Sequence, residues 1–350
     1  MINRRKTKQI QIGNVKIGSD SPISVQSMCN TDTRDVNATL QQINALADAG
    51  CEIARLAVLN HDASAAIKEI VKKSPLPIVA DIHFNHKLAI ECINNGVQAL
   101  RLNPGNIGKL ENIKQVVTLA KQQQIPIRIG INAGSLEKEF QEENIPLSEK
   151  MVKSALKHIQ ILEDLNFDLI KVSLKSSDVM TTIDAYKSIA EKIEYPLHLG
   201  ITEAGTMKGG IVKSAIGLGS LLSQGIGDTI RVSLTENPVE EVHAGFAILK
   251  ALGLRQKGVN FVSCPTCGRC QIDLIGLAKK VEERFKDLDK PITIATMGCP
   301  VNGPGEARHA DFGIAGAIKE GYIFKKGEII ARVPEEELLD KLSELINESL

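Results

Sequence analysis

The chain has 350 residues, with 42 Lys plus Arg against 42 Asp plus Glu, 43% hydrophobic and 24% charged residues, and no Trp. That length exceeds one small core and points to two domains, with cores built mostly of Ile, Leu, Val and Ala. A formal net charge of zero argues against nucleic acid or an anionic membrane surface as partner and leaves any anion binding to local clusters.

Met1 to Lys16 is basic but lacks an apolar signal region, and no run of about 18 apolar residues occurs anywhere, so a cytoplasmic protein is expected. Gln9 to Ile17 alternates around Gly13-Asn14 and predicts a hairpin that closes the floor of a barrel. Eight short β-branched segments then recur: Ile23 to Met28, Glu52 to Val58, Pro77 to His83, Ala99 to Asn103, Pro126 to Asn132, Leu169 to Lys175, Pro196 to Thr202 and Asp228 to Leu234. Helical periods separate them, among them Val36 to Ala49, Leu110 to Gln123, Ser148 to Leu165, Ser177 to Lys192 and Pro238 to Leu252. Eight strand–helix pairs over about 250 residues predict an α/β fold, a closed (β/α)8 TIM-like barrel. An open doubly wound sheet would carry a glycine-rich phosphate loop after its first strand, and Ser27-Met28-Cys29-Asn30-Thr31 is not one.

Residues at the C-terminal ends of barrel strands face the active site, and here they are polar. Arg55, Asp81, His83, Arg101, Asn103, Arg128, Asn132, Lys171, Ser173, Lys175, His198, Thr202, Glu203, Arg231 and Ser233 fall at or near such ends. A single charge there is commonly a solvated rim residue, and His198 reads equally well as an interior histidine. Five or six cations from separate strands would repel one another unless an anion neutralised them, and guanidinium forks suit phosphate oxygens. A substrate with more than one phosphate charge is expected, with Asp81, His83 and Glu203 as acid, base or hydrogen-bonding groups. A Schiff-base aldolase using Lys171 or Lys175 fits the barrel but leaves the cysteines unexplained.

From Gly258 the pattern changes to strand Val259 to Ser263, helix Ile272 to Phe285, strand Ile292 to Met297, strands near Phe312 and Tyr322, and an amphipathic helix Pro334 to Leu350. This predicts a small α+β domain over 256–350 after a barrel over 1–255. Four of seven cysteines gather there, in Cys264-Pro265-Thr266-Cys267-Gly268-Arg269-Cys270 and in Gly298-Cys299-Pro300-Val301-Asn302-Gly303-Pro304-Gly305-Glu306. An odd number so grouped fits a reduced compartment and a metal centre, while Cys29, Cys51 and Cys92 are expected to be buried thiols without chemical role. Zinc usually takes a second paired motif or spaced histidines; the lone Cys299 favours an iron–sulfur cluster, with Cys270 or the harder oxygen of Glu306 as further ligand. A radical S-adenosylmethionine enzyme would place three cysteines in the first barrel loop, where only Cys29 lies. An electron-transfer or structural metal module joined to an anion-binding barrel is the reading from another class.

At these motifs, together with Val79-Ala80-Asp81-Ile82-His83-Phe84, Arg101-Leu102-Asn103-Pro104-Gly105 and Gly200-Ile201-Thr202-Glu203-Ala204-Gly205, the chain resembles the 4-hydroxy-3-methylbut-2-enyl diphosphate synthases of the non-mevalonate isoprenoid pathway, in their bacterial short form. The resemblance implies a [4Fe–4S] cluster on Cys264, Cys267, Cys299 and Glu306, with Cys270 a bystander. It implies 2-C-methyl-D-erythritol 2,4-cyclodiphosphate as substrate, reduced by two electrons from flavodoxin or ferredoxin. The diphosphate would lie on Arg55, Arg101, Arg128, Lys175 and Arg231, with hydrogen bonds from Asn103, Asn132 and Ser233. Asp81, His83, Thr202 and Glu203 would lie near the sugar-derived hydroxyls. Since the eighth helix ends at the barrel floor, the eight or so residues near Gly253 to Asn260 reach only roughly 28 Å, so a head-to-tail homodimer is expected, each cluster domain covering its partner's barrel.

Overall fold

A computed structural model describes residues 2–256, 258–286, 288–300 and 307–350. The chain divides into two compact units, Met1–Arg255 and Gln256–Leu350.

The first unit begins with the expected hairpin, β1 (Ile10–Ile12) paired antiparallel with β2 (Val15–Ile17) around the left-handed Gly13. The barrel strands are β3 (Ser24–Met28), β4 (Ile53–Ala57), β5 (Ile78–Asp81), β6 (Ala99–Leu102), β7 (Ile127–Asn132), β8 (Ile170–Lys175), β9 (His198–Leu199) and β10 (Thr229–Ile230). Helices lie between them: α1 (Val36–Asp48), α2 (His61–Lys73), α3 (His86–Asn94), α4 (Leu110–Gln122), α5 (Lys138–Gln141), α6 (Leu147–Asp164), α7 (Val179–Ala190), α8 (Met207–Leu222) and α9 (Pro238–Ala251). Strands β3 to β8 pair in sequence, all parallel, and β10 joins β3 to β9. The ring closes where the Val172 N–H donates to Pro196 O at 2.9 Å and Val172 bridges Leu197.

All eight expected strands are present. The last two are shorter than the sequence suggests, because after Leu199 and Ile230 the chain leaves the ladder for loops that carry Glu203 and Arg231. Helices start where Asx side chains cap them: Asp35, Asn60, Asn85, Asp178 and Asn237 each accept a backbone N–H of the first turn.

Alternation along the strands sorts the side chains into two environments. Outward residues such as Leu56, Ala80, Leu100, Ile129, Val172 and Leu199 join the large core beneath the helices. Inward residues form a floor and a cup. At the floor, Ile10, Ile12 and Ile17 of the hairpin pack on Ile53, Val79 and Ala99. Above it the interior turns polar and charged, unlike the branched apolar filling usual in such barrels.

The second unit is a five-stranded sheet in the order β11 (Asn260–Ser263), β12 (Thr293–Met297), β13 (Phe312–Ala317), β14 (Glu320–Lys325), β15 (Glu328–Pro334). The first three strands run parallel and the last two antiparallel. Helix α10 (Leu274–Phe285) and the C-terminal helix Leu338–Ser349 cover one face through Leu277, Val281, Phe285, Leu338, Leu342 and Ile346. The C-terminal helix begins later than expected, since Pro334 ends β15 and Glu335–Glu337 make a 3-10 turn. Among the described residues, no helix is long and apolar enough to cross a membrane.

Candidate active site

The cup is cationic, and most of its charged side chains are buried. Five Lys or Arg side chains are buried in the barrel unit, Arg55, Arg101, Arg128, Lys171 and Lys175, against three buried carboxylates, Asp81, Asp228 and Glu241. Each carboxylate is already committed. Asp228 is tied to Arg4, Thr7 and the Leu197 N–H.

Asp81, at the end of β5, accepts from Arg101 Nη1 at 3.1 Å and lies 3.7 Å from Arg55 Nε and from His83 Nε2. Burial alone would push its carboxyl up; the Arg55 guanidinium, then His83 and Arg101, outweigh that and hold it well below the usual carboxylate range. Arg55 also points Nε and Nη2 at Met28 Sδ, at 3.0 and 2.7 Å, and burial brings it down to about 10 despite Asp81. His83 is half-exposed, beside the exposed Phe84 ring.

Glu241, in the first turn of α9, was not legible as a site residue. It accepts both Nε and Nη2 of Arg231 at 3.2 and 3.1 Å, the Ser27 hydroxyl at 2.9 Å and the Leu234 N–H at 3.0 Å. Arg231 is therefore held and neutralised within the protein. The sequence signal, Glu240-Glu241 after Asn237-Pro238, reads first as favourable charge at a helix N-terminus, which hid its second use.

The cations without a carboxylate partner lie on β7 and β8. Arg128 donates through Nη1 to Ser173 Oγ at 2.5 Å, while its buried Nε and Nη2 have no protein partner. Lys175 Nζ lies 3.5 Å from His198 Nε2, and His198 Nδ1 is also unpartnered. Burial, with Arg128 as the strongest neighbour, pushes Lys171 and Lys175 well below the usual lysine range, and burial with Lys175 does the same to His198. Burial and the repulsion of neighbouring cations thus act together on all three groups. Two glycines make room for the cations themselves: a Cβ at Gly130 would meet Arg101 Nε at 2.6 Å, and one at Gly200 would meet Lys175 Nζ at 2.6 Å.

The remaining expected residues surround this centre. Asn103 is buried, its Oδ1 accepting from the Gly105 N–H at 3.2 Å. Asn132 is half-buried and registers opposite Lys175; Thr202 and Ser233 are half-buried. Glu203 is exposed with φ +52°, a left-handed backbone that costs a non-glycine residue energy and is typical of functional loops.

In the second unit, Cys264 follows β11 and Gly298-Cys299 follow β12, so two cysteine loops emerge at the carboxyl ends of neighbouring parallel strands, the usual place for ligand sites in such sheets. Cys264 Sγ accepts from the Gly298 N–H at 3.2 Å, and the Gln271 N–H donates to Gly298 O at 3.0 Å. Cys267 is exposed, and the Arg269 backbone N–H lowers its thiol below the ordinary value. Cys299 is buried, and all seven cysteines are free thiols. Thiol donors on two hydrogen-bonded loops suit a metal–sulfur centre in chemistry and placement, although the described residues contain no grouped set of three His, Cys, Asp or Glu side chains ready for a single ion. Glu306, the expected fourth ligand, lies outside the described residues. Cys29, Cys51 and Cys92 are buried in the barrel unit, where burial pushes their thiols up to between about 11 and about 12.

The fold and the mouth together define a TIM-barrel protein with a cationic cup and a separate thiol-bearing unit. Family models place it further: a GcpE TIM-barrel domain matches residues 7–246 and a GcpE C-terminal domain matches 260–348. The chain belongs to the GcpE family and is an enzyme of it. Proteins named 4-hydroxy-3-methylbut-2-en-1-yl diphosphate synthase (flavodoxin) from Geobacter sulfurreducens, Clostridium perfringens and Dehalococcoides mccartyi are 60%, 55% and 57% identical to it. They align over 97%, 99% and 98% of this chain and 96%, 99% and 98% of their own lengths. Among solved structures, the Yersinia pestis dihydropteroate synthase matches 70% of this chain and 98% of its own with TM-score 0.52 at 10% identity, a likeness of fold alone.

Proposed function

We propose that this enzyme reductively opens and dehydroxylates 2-C-methyl-D-erythritol 2,4-cyclodiphosphate to 4-hydroxy-3-methylbut-2-enyl diphosphate, supplying isoprenoid precursors in the cytoplasm. The observation that carries the reading is Arg128, buried with two unpartnered N–H-bearing nitrogens and lacking the carboxylate that Asp81 gives its neighbours Arg55 and Arg101. A diphosphate satisfies those donors and offsets the charge together. The relatives' names support a diphosphate product and favour flavodoxin over ferredoxin as electron donor.

In this reading Arg55, Arg101, Arg128 and Lys175 grip the diphosphate, while Arg231, whose Nε and Nη2 are taken by Glu241, adds its remaining Nη1 at the edge. Asn103, Asn132 and Ser233 add hydrogen bonds. Asp81 orients Arg55 and Arg101 and, with His83 and Thr202, receives the hydroxyls of the ring. Cys264, Cys267, Cys299 and Glu306 would hold a [4Fe–4S] cluster, which when bound supplies single electrons and a Lewis-acidic iron for breaking a C–O bond. Glu203, exposed on its left-handed turn, donates the proton with which the departing hydroxyl leaves as water. Glu203→Gln is expected to lower kcat by about 100-fold or more, the usual contribution of a positioned general acid, with the visible absorbance of the protein unchanged; full turnover would remove Glu203 from the reaction.

The working unit is a head-to-tail homodimer. Besides the short connection near Gly253 to Asn260, large apolar side chains are exposed at the mouth end of the barrel, Leu59 and Phe84 after β4 and β5 and Met180 at the start of α7, a pattern suited to a covering partner. Specific activity is expected to fall as the dimer is diluted apart, and a monomer active at high dilution contradicts the assembly.

A further inference from the structure

A pair of side chains behind the barrel wall, a buried histidine and a partly exposed glutamate, ties together the loops that follow β6 and β7. His158, on α6, is 0% exposed, and its Nε2 lies 2.6 Å from Glu137 Oε1. Glu137 sits in the loop after β7, between the 3-10 turn Ala133–Ser135 and α5. Its other oxygen accepts from Ser154 Oγ at 2.7 Å, from a residue one turn before His158 on the same face of α6. Burial pushes the Glu137 carboxyl up, but His158 and Ser154 outweigh it and hold it down at about 2.

This histidine is not a core residue satisfied by hydrogen bonds. Its contact with Glu137 is close but poorly aligned, and Nδ1 has no partner, an arrangement that calls for a reason. The ring presses on the backbone of the β6 loop: a Cβ at Gly105 would lie 2.6 Å from His158 Nε2, 3.1 Å from Cε1 and 3.3 Å from Glu137 Oε1. Only glycine fits that approach. The Gly105 N–H in turn donates to Asn103 Oδ1 at 3.2 Å. With Oδ1 so occupied, the Asn103 amide offers its Nδ2 hydrogens to a ligand. If Gly105 shifted, the amide could turn and set its oxygen against a phosphate, a repulsive contact.

We propose that His158 and Glu137 are positioning residues: they brace the Pro104–Asn106 turn and thereby fix the Asn103 amide in the one orientation that accepts an anion. The proposal rests on reading the barrel mouth as a diphosphate site. Loss of the brace weakens ground state and transition state alike, so it appears in KM more than in kcat.

The test combines steady-state kinetics on the holoenzyme with amide hydrogen exchange over residues 103–108 without substrate. His158→Ala is expected to raise KM for the cyclic diphosphate by about 10-fold or more, with kcat within roughly twofold and faster exchange in that segment. His158→Gln, which keeps a donor towards Glu137, should recover part of both effects. Glu137→Gln, at a half-exposed position, provides the same reading should the histidine variants fold poorly. Unchanged KM and exchange in Glu137→Gln, or a lowered melting temperature with neither of them moved, overturns the brace. If the wild type binds no cyclic diphosphate, the functional reading falls, whereas faster exchange at 103–108 in the variants still upholds the brace.

Discussion

Cys264→Ser is expected to abolish the visible absorbance of anaerobically purified protein and to cut turnover by well over about 100-fold, beyond the cost of losing even an outer-shell partner of a metal ligand. Cys270→Ser, six residues on, is expected to leave both unchanged. The two thiols differ in what holds them. Cys264 Sγ is an acceptor, taking the Gly298 N–H at the start of the second cysteine loop. Cys270 Sγ is a donor, bonded to Ile272 O at 3.3 Å and wedged against Gly298, where a Cβ would come within 2.7 Å of it. Cys264 is therefore assigned to the ligand set, and Cys270 is expected to serve packing. The reverse outcome, with Cys270 essential and Cys264 dispensable, would redraw the ligand set around a Cys-x2-Cys run.

Asp81→Asn is the substitution expected to hurt the barrel most. Removing one partner of a buried ion pair leaves its cations uncompensated, at about 3–5 kcal/mol, and Arg55 and Arg101 both depend on Asp81. Urea unfolding should show the loss, and inorganic pyrophosphate should restore part of it by standing in for the missing charge. The pH dependence has a definite sign. Because the folded carboxyl lies below its unfolded value, its contribution is complete above about pH 4 and fades as pH falls towards the folded value. The difference between wild type and variant should thus be flat near neutrality and shrink only in acid. A variant as stable as the wild type, or one indifferent to pyrophosphate, would mean the cations are balanced by other means.

The barrel was legible because its strands write two messages at once. Ile127, Ile129 and Ile131 face the helices while Arg128 and Gly130 face the interior, so β-branched runs with embedded charges announce both the strand and the cup. The hairpin floor was legible for the same reason, since Ile10, Ile12 and Ile17 alternate around a turn. The lengths of β9 and β10 were not: after Leu199 the chain leaves the sheet and turns through the left-handed positions of Glu203 and Gly205, and after Ile230 it leaves with Arg231 turned to Glu241, neither of which composition marks. The sequence does not mark strand β15, and Pro334, where it predicts a helix to start, ends that strand instead. Which cations are spent internally also lay beyond the sequence. Arg231 and Arg128 look alike along their strands, and only the packing of α9 against β3 and β10 brings Glu241 to the first and leaves the second unpaired.

The most direct measurement is metal analysis of protein purified without air, followed by titration of its visible spectrum with 2-C-methyl-D-erythritol 2,4-cyclodiphosphate under a chemical reductant. The account predicts iron and acid-labile sulfide in the proportion of one [4Fe–4S] cluster per chain and a spectrum that changes saturably as the cyclic diphosphate is added. Zinc in place of iron, or an iron spectrum that the cyclic diphosphate leaves untouched, would contradict it.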